Sequence, residues 1–302
     1  AFSSGEVMLE LGEDATCAII NDDRAPSLTI VKQEVNNDGG RATVTDFSIT
    51  TSAGGLAFDA GSTVYNTTTF TAETLTSLTA GVPYSLAEAD VEGYREGTWS
   101  CTPKEGGGAF GSGSVTLEPG EDASCTISNE DIAPTLTVVK QVVKDDGGSA
   151  TVTDFGLTTS AGTLVFNGGS ATVTDCGLTS SAGALAFDAG STVDDTTTYT
   201  AEILTGLTAG ERYYLAEAAI EGYSEGSWSC TPNEGGGAFD NGSITLELGE
   251  DATCTISNDD IAPTLTVVNQ VVKDEGCSAT VGEFSITTSA GALVFDGGST
   301  VG

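Results

Sequence analysis

Along the chain, apolar and polar side chains alternate in short runs, as in Leu28-Thr29-Ile30 and again in Leu136-Thr137-Val138. A period of two places successive side chains on opposite faces of an extended strand. The runs are rich in Thr, Val, Ile and aromatic residues and are punctuated by Gly-Gly, Asp-Gly and Ala-Gly pairs. No helical period survives across them, so the pattern predicts β-sandwich domains of about seven short strands each.

The alternation itself repeats. Ser27–Lys32 (SLTIVK) returns as Thr135–Lys140 (TLTVVK) and as Thr264–Asn269 (TLTVVN), the second interval being longer than the first. The excess has a visible source, because Ser149–Gly169 is followed at once by a near copy, Ser170–Gly190. The expected division is therefore 1–25 as the end of a preceding repeat, 26–133 and 134–262 as full repeats, and 263–302 as the start of a third. The second full repeat carries the internal duplication 149–169/170–190. Ala1–Cys17 matches Ala109–Cys125 and Ala238–Cys254, so both ends are expected to be completed from outside, by a longer repeat array or by head-to-tail self-association. The junctions are a few residues long and end in Pro26, Pro134 and Pro263, which predicts a semi-rigid array.

Strand parity turns three polar residues per domain inward. Lys32 is in phase with Leu28 and Ile30, Glu88 with Tyr84 and Leu86, and Asn129 with Cys125 and Ile127. Lys140, Glu217 and Asn258 repeat the arrangement with Leu136 and Val138, Tyr213 and Leu215, and Cys254 and Ile256. The interval from Lys140 to Glu217 exceeds that from Lys32 to Glu88 by the length of the duplicated block alone, and the interval from Glu to Asn is the same in both domains. An unpaired buried charge costs several kcal/mol, so the three must satisfy one another. A buried Lys–Glu salt bridge capped by Asn would do so; a lysine snorkelling to a sheet edge would evade the cost.

The first-strand lysines, the motif Tyr84-Ser-Leu86-Ala-Glu88 running on to Gly93-Tyr94, its copy Tyr213-Tyr-Leu215-Ala-Glu217 running on to Gly222-Tyr223, and the final-strand Asn129 and Asn258 resemble the collagen-adhesin B-type, or prealbumin-like, domains of bacterial pilins and surface adhesins. The resemblance covers nearly the whole chain. It implies an all-β fold of tandem Ig-like/prealbumin-like β-sandwiches in a beads-on-a-string array. It also implies that the Lys amine attacks the Asn carboxamide and expels ammonia, with Glu as proton shuttle, leaving an isopeptide bond at Lys32, Glu88, Asn129 and at Lys140, Glu217, Asn258. An apolar core favours the neutral, nucleophilic amine and the protonated carboxyl that this chemistry needs. Asn269 stands at the lysine position of the third repeat, which cannot form the bond by this route.

Cysteines add a second kind of tie. Cys101 and Cys125 have the same spacing as Cys230 and Cys254, which predicts two disulfides within domains, with buried free thiols as the alternative. Cys17, Cys176 and Cys277 lack evident partners and are candidates for bonds between molecules. Disulfides imply an oxidising compartment, hence the cell surface or exterior.

Charge and composition narrow the function. With 9 basic and 44 acidic residues among 302, the net charge of -35 repels nucleic acid and anionic membranes. No apolar run reaches the roughly 18 residues of a membrane span. There is no His, and no nucleophile elbow or phosphate loop stands out, so an enzyme is not expected, nor an organic cofactor. The junction doublets Asp22-Asp23, Glu130-Asp131 and Asp259-Asp260 could hold Ca²⁺ between domains, against the plainer reading of a solvated acidic rim. The expected function is structural: an extracellular fibre, pilus shaft, sheath or adhesin stalk. The alternative is a ligand-binding surface adhesin that uses the block inserted in the second repeat.

Overall fold

A computed structural model describes residues 2–3, 5–103, 109–111, 113–160, 188–234, 237–240, 242–276, 278–291 and 293–295. Cys176, Cys277 and residues 161–187 of the duplicated block lie outside the described residues. Two short strands, β1 (Phe2–Ser3) and β2 (Glu6–Val7), precede two β-sandwiches of matching topology.

The first sandwich contains β3 (Ser27–Val35), β4 (Thr50–Thr51), β5 (Ser62–Val64), β6 (Thr67–Thr71), β7 (Pro83–Ala87), β8 (Tyr94–Glu96), β9 (Ser100–Pro103), β10 (Ala109–Gly111), β11 (Ser114–Thr116) and β12 (Asp122–Asp131). One sheet runs β5-β6-β3-β12-β8, with β9 also on β12, and the facing sheet runs β10-β11-β7-β4. The second sandwich contains β13 (Thr135–Val143), a 3-10 turn (Val152–Phe155), β14 (Thr158–Thr159), β15 (Ser191–Val193), β16 (Thr196–Thr200), β17 (Arg212–Ala216), β18 (Tyr223–Glu225), β19 (Ser229–Glu234), β20 (Ala238–Asp240), β21 (Ser243–Thr245) and β22 (Asp251–Asp260). Its sheets run β15-β16-β13-β22-β18, with β19 on β22, and β14-β17-β21-β20.

In each sandwich the first and last long strands are parallel neighbours at the centre of the larger sheet, with all 9 residues of β3 in register with β12. Parallel neighbours need a long crossover, and here the rest of the domain supplies it. Burial alternates strictly along β3 and β13, as the period of two predicts. The inward residues Leu28, Ile30, Leu86, Val115 and Leu117 form one core, and Leu136, Val138, Leu215, Leu246 and Ile256 belong to its counterpart.

The junction between β12 and β13 is bonded on both sides. The Ile132 N–H donates to Gly93 O (2.9 Å) and the Ile132 carbonyl accepts from Gly249 N (2.8 Å), while Ala209 N donates to Asp38 O (2.8 Å) across the same gap.

The two outer segments differ from the sequence pattern. Thr264–Asn269 reads as a first strand, yet it has no regular secondary structure, and Leu265 and Val268 are exposed. The segment carrying Cys17 is likewise irregular and exposed. A strand is stable only against neighbours; β3 and β13 each have one on both sides, and no such pair flanks 264–269 among the described residues. Among the described residues no helix is long and apolar enough to cross a membrane.

Candidate functional site

Lys32 lies in the middle of β3 with its side chain 0% exposed. Its Nζ is 3.1 Å from Glu88 Oε2 and donates to Asn129 Oδ1. Asn129 comes from β12, the parallel neighbour, whereas Glu88 follows directly on β7 of the facing sheet. The three residues thus converge from both layers. In the second domain Lys140 Nζ is 3.1 Å from Glu217 Oε2 and donates to Asn258 Oδ1, again with a fully buried lysine.

Aromatic side chains close the site. Lys32 Nζ stands 3.7 Å from the Phe47 ring centroid and Lys140 Nζ 4.0 Å from that of Phe155. Each ring meets a tyrosine edge-on, Phe47 with Tyr94 at 5.4 Å and Phe155 with Tyr223 at 5.5 Å between centroids. Both tyrosine hydroxyls accept a backbone N–H at 2.9 Å, from Ala42 and Ala150, which fixes the turn that carries the Phe.

Electrostatically the sites lean toward an uncharged amine. Burial pushes both lysines below the usual ammonium range, with Glu88 and Glu217 pulling each of them back. Glu88 Oε1 and Glu217 Oε1 are buried without a hydrogen-bond partner. A desolvated amine, a buried carboxyl and a carboxamide in contact have the composition needed for amide exchange, with one amide nitrogen replacing another at the Asn side-chain carbon.

Sequence reasoning missed three groups here. Phe47 and Phe155 could be found from the repeated Asp46-Phe47 and Asp154-Phe155 pairs. Glu34 is in phase with Lys32 on β3, buried, with Oε1 lacking a partner. Burial pushes its carboxyl up to about 7, against the pull of Lys32.

The remaining predicted positions separate. Cys101–Cys125 and Cys230–Cys254 are disulfides, each joining directly opposed residues of antiparallel strands with Cα atoms 4.0 Å apart. Cys17 is a free, exposed thiol. Of the acidic doublets, Asp22 and Asp23 are exposed and Glu130 points outward toward Arg95 at 3.6 Å. Asp131 turns inward and accepts from the backbone N–H groups of Asn37, Asp38 and Gly40 at 2.8 to 2.9 Å. Its counterpart Asp260 accepts from Asp146 and Gly148 and lies near Asp145 and Asp259, their carboxylate oxygens within 4.8 Å of one another. Asp131 and Asp260, the inward acids of the second and third doublets, therefore tie down the turn after the first strand of their domains.

Against known proteins, the family model described as a prealbumin-like fold domain matches residues 23–127 and 131–256. Among solved structures, the chain is similar to the major pilin protein T-13 of Streptococcus pyogenes at 15% identity, with TM-score 0.32, covering 78% of this chain and 97% of that one. It is also similar to a second major pilin of Streptococcus pyogenes at 15% identity, with TM-score 0.31 and coverage of 80% and 99%. For the major pilin protein T3.2 of the same organism the values are 13% identity, TM-score 0.33 and coverage of 77% and 98%. No curated protein matches the chain.

Proposed function

The chain belongs to the family of prealbumin-like fold domains, and from that premise we propose that it is an extracellular structural protein, a length of fibre, shaft or stalk, with each complete domain closed by a Lys–Asn isopeptide bond. The observation that carries the reading is the meeting of Lys32, Glu88 and Asn129 with buried side chains in the core, repeated by Lys140, Glu217 and Asn258.

The step is an intramolecular amide exchange. A proton passes from the Lys32 ammonium to Glu88, and the freed Nζ attacks Asn129 Cγ. As the Nζ–Cγ bond forms and the Cγ–Nδ2 bond breaks, Glu88 hands that proton to the leaving nitrogen and takes up the second proton that Nζ sheds on becoming an amide; the departing ammonia carries this last proton away as ammonium. Glu88 ends as it began. The reaction occurs once per domain, and its product is part of the protein.

The placement suits a load-bearing role. Tension on an array enters a domain at its first strand and leaves at its last, and β3 and β12 are the strands such a bond would join. Array continuity, by further repeats or by head-to-tail association of copies, follows the bonded junction at Ile132 as its pattern. The two disulfides support an oxidising, extracellular location. Intact mass of the purified chain tests the reading: two bonds remove two ammonia molecules beyond the hydrogens lost to disulfides, and a mass that disulfides alone account for would overturn it.

A further inference from the structure

The two cross-linking sites differ in charged residues at one buried position; the exchange of Phe70 for Tyr199 in register with the lysines adds only a phenol, whose ionisation burial pushes up. Glu34 lies two residues beyond Lys32 on β3, faces the same side, is 2% exposed and is paired in register with Asn129. In the second domain Val142 holds that place, 0% exposed and in register with Asn258. The first site thus has two buried carboxyl groups around its amine and the second has one.

We propose that Glu34 is a positioning residue that holds Lys32 in its ammonium form, so that the first domain closes its isopeptide bond more slowly than the second. The inference rests on the isopeptide reading of Lys32, Glu88 and Asn129. Attack on Asn129 Cγ requires the lone pair of a neutral amine, and a second carboxylate beside an ammonium favours the charged form. Glu34 takes no part in the bond changes: the proton still leaves Lys32 for Glu88, and ammonia still leaves Asn129. It alters only the fraction of Lys32 free to react, roughly ten-fold for each unit by which it raises the lysine.

The surroundings make this influence pH-dependent. Glu34 faces Lys32 on its own strand, Asp46 from the turn before β4, Tyr94 on β8, and Asn129 on β12; its partner on β6 is the uncharged Thr68. Glu88 and Glu96, which is opposite Asn129, complete the charges around the amine, as Glu217 and Glu225 do around Lys140. Desolvation, reinforced by Asp46 and opposed by Lys32, brings the Glu34 carboxyl to about 7. Well below that pH it is neutral, and Lys32 is left with the same charged neighbours as Lys140. Above it, Glu34 is an anion and the first site lags.

The ratio of the two bond-forming rates within one molecule isolates the effect, because the other carboxylates acting on the two amines, Glu88 and Glu96 against Glu217 and Glu225, are matched. Full-length nascent chain captured in concentrated guanidinium chloride is refolded by dilution at pH about 6 and about 8.5, to either side of the Glu34 carboxyl. Timed samples are mapped by peptide mass for the Lys32–Asn129 and Lys140–Asn258 links. The first link should trail the second several-fold at the higher pH and draw level at the lower, and Glu34→Gln and Glu34→Val should each abolish that dependence. Ammonia loss from both domains with a ratio indifferent to pH, or a dependence that persists in Glu34→Gln, would overturn this inference alone. Loss from neither domain would overturn the isopeptide reading with it. If neither variant folds, the wild-type ratio decides.

Discussion

Lys140 and Glu217 meet at 3.1 Å, the separation at which Lys32 and Glu88 meet, although a longer stretch of chain lies between the second pair. The geometry is kept across an insertion, so the site is set by the two sheets and not by the segment between them.

From that equivalence the two domains should respond independently. Each bond lowers the intact mass by about 17 Da, one ammonia expelled by the attacking amine. Glu88→Ala should restore one such increment and Glu217→Ala the other, with peptide mapping locating the surviving link. Lys32 and Asn129 are 97 residues apart and Lys140 and Asn258 are 118 apart. Closing loops of that length stabilises by about 4 to 5 kcal/mol on the chain-entropy model, so each variant should lower the melting temperature of its own domain.

Glu34 imposes a pH dependence on stability. Unfolded, its carboxyl ionises near the ordinary value of 4.5, whereas in the fold it stays protonated to about 7. Between those values the folded state binds the extra proton, so stability falls as pH rises through the window, by up to about 3 kcal/mol, and is fully retained below it. Converting Lys32 to an amide removes the one group that pulls Glu34 down, so the bonded domain keeps the dependence. Calorimetry should show Glu34→Val flattening the pH profile of the first domain while the second stays unchanged.

Each disulfide spans 24 residues and should contribute about 3 kcal/mol on the same entropy argument. Replacing Cys101 and Cys125 together by Ala should shift the first unfolding transition by that amount in urea. Peptide maps of untreated protein should recover Cys101 with Cys125 and Cys230 with Cys254.

Gly40 and Gly148 are predicted to be intolerant of any side chain. A β-carbon on Gly40 would strike the Tyr94 hydroxyl and lie 2.8 Å from the Asp131 β-carbon; on Gly148 it would strike the Tyr223 hydroxyl and lie 2.7 Å from Asp260 Oδ2. Gly40→Ala should therefore cost a few kcal/mol by displacing the acid that ties down the turn. Gly55→Ala, where nothing lies within 4 Å and φ is not positive, should be close to neutral in the same urea titration.

Much of this site is legible in the sequence. A period of two turns Lys32, Glu88 and Asn129 inward, and recurrence in Lys140, Glu217 and Asn258 separates them from chance. Recurrence also acts as a filter. Glu34 obeys the same parity, but its partner position is Val142, so a search for shared polar residues passes over it. Phe47 sits in a turn, where no period announces which way a ring points. Asp131 reads as part of an acidic rim because doublets suggest surface; parity carried one step past Asn129 turns it inward. Thr264–Asn269 shows the converse limit, since a strand-like pattern is a disposition that only neighbouring strands realise.

The parallel pairing of β3 with β12 also fixes the order in which a domain can be completed. Ser27 and Asp122 touch across 95 residues of sequence, so the centre of the large sheet cannot form until nearly the whole repeat has been synthesised. Contacts of such long range make folding slow and leave the early strands exposed while they wait. Lys32 can reach Asn129 only after that last strand has docked in its proper register, since a slip of one residue turns the amide away from the core. A bond made there is a permanent mark of correct assembly: a molecule that has lost two ammonia groups has paired its first strand with its last, in register, in both domains.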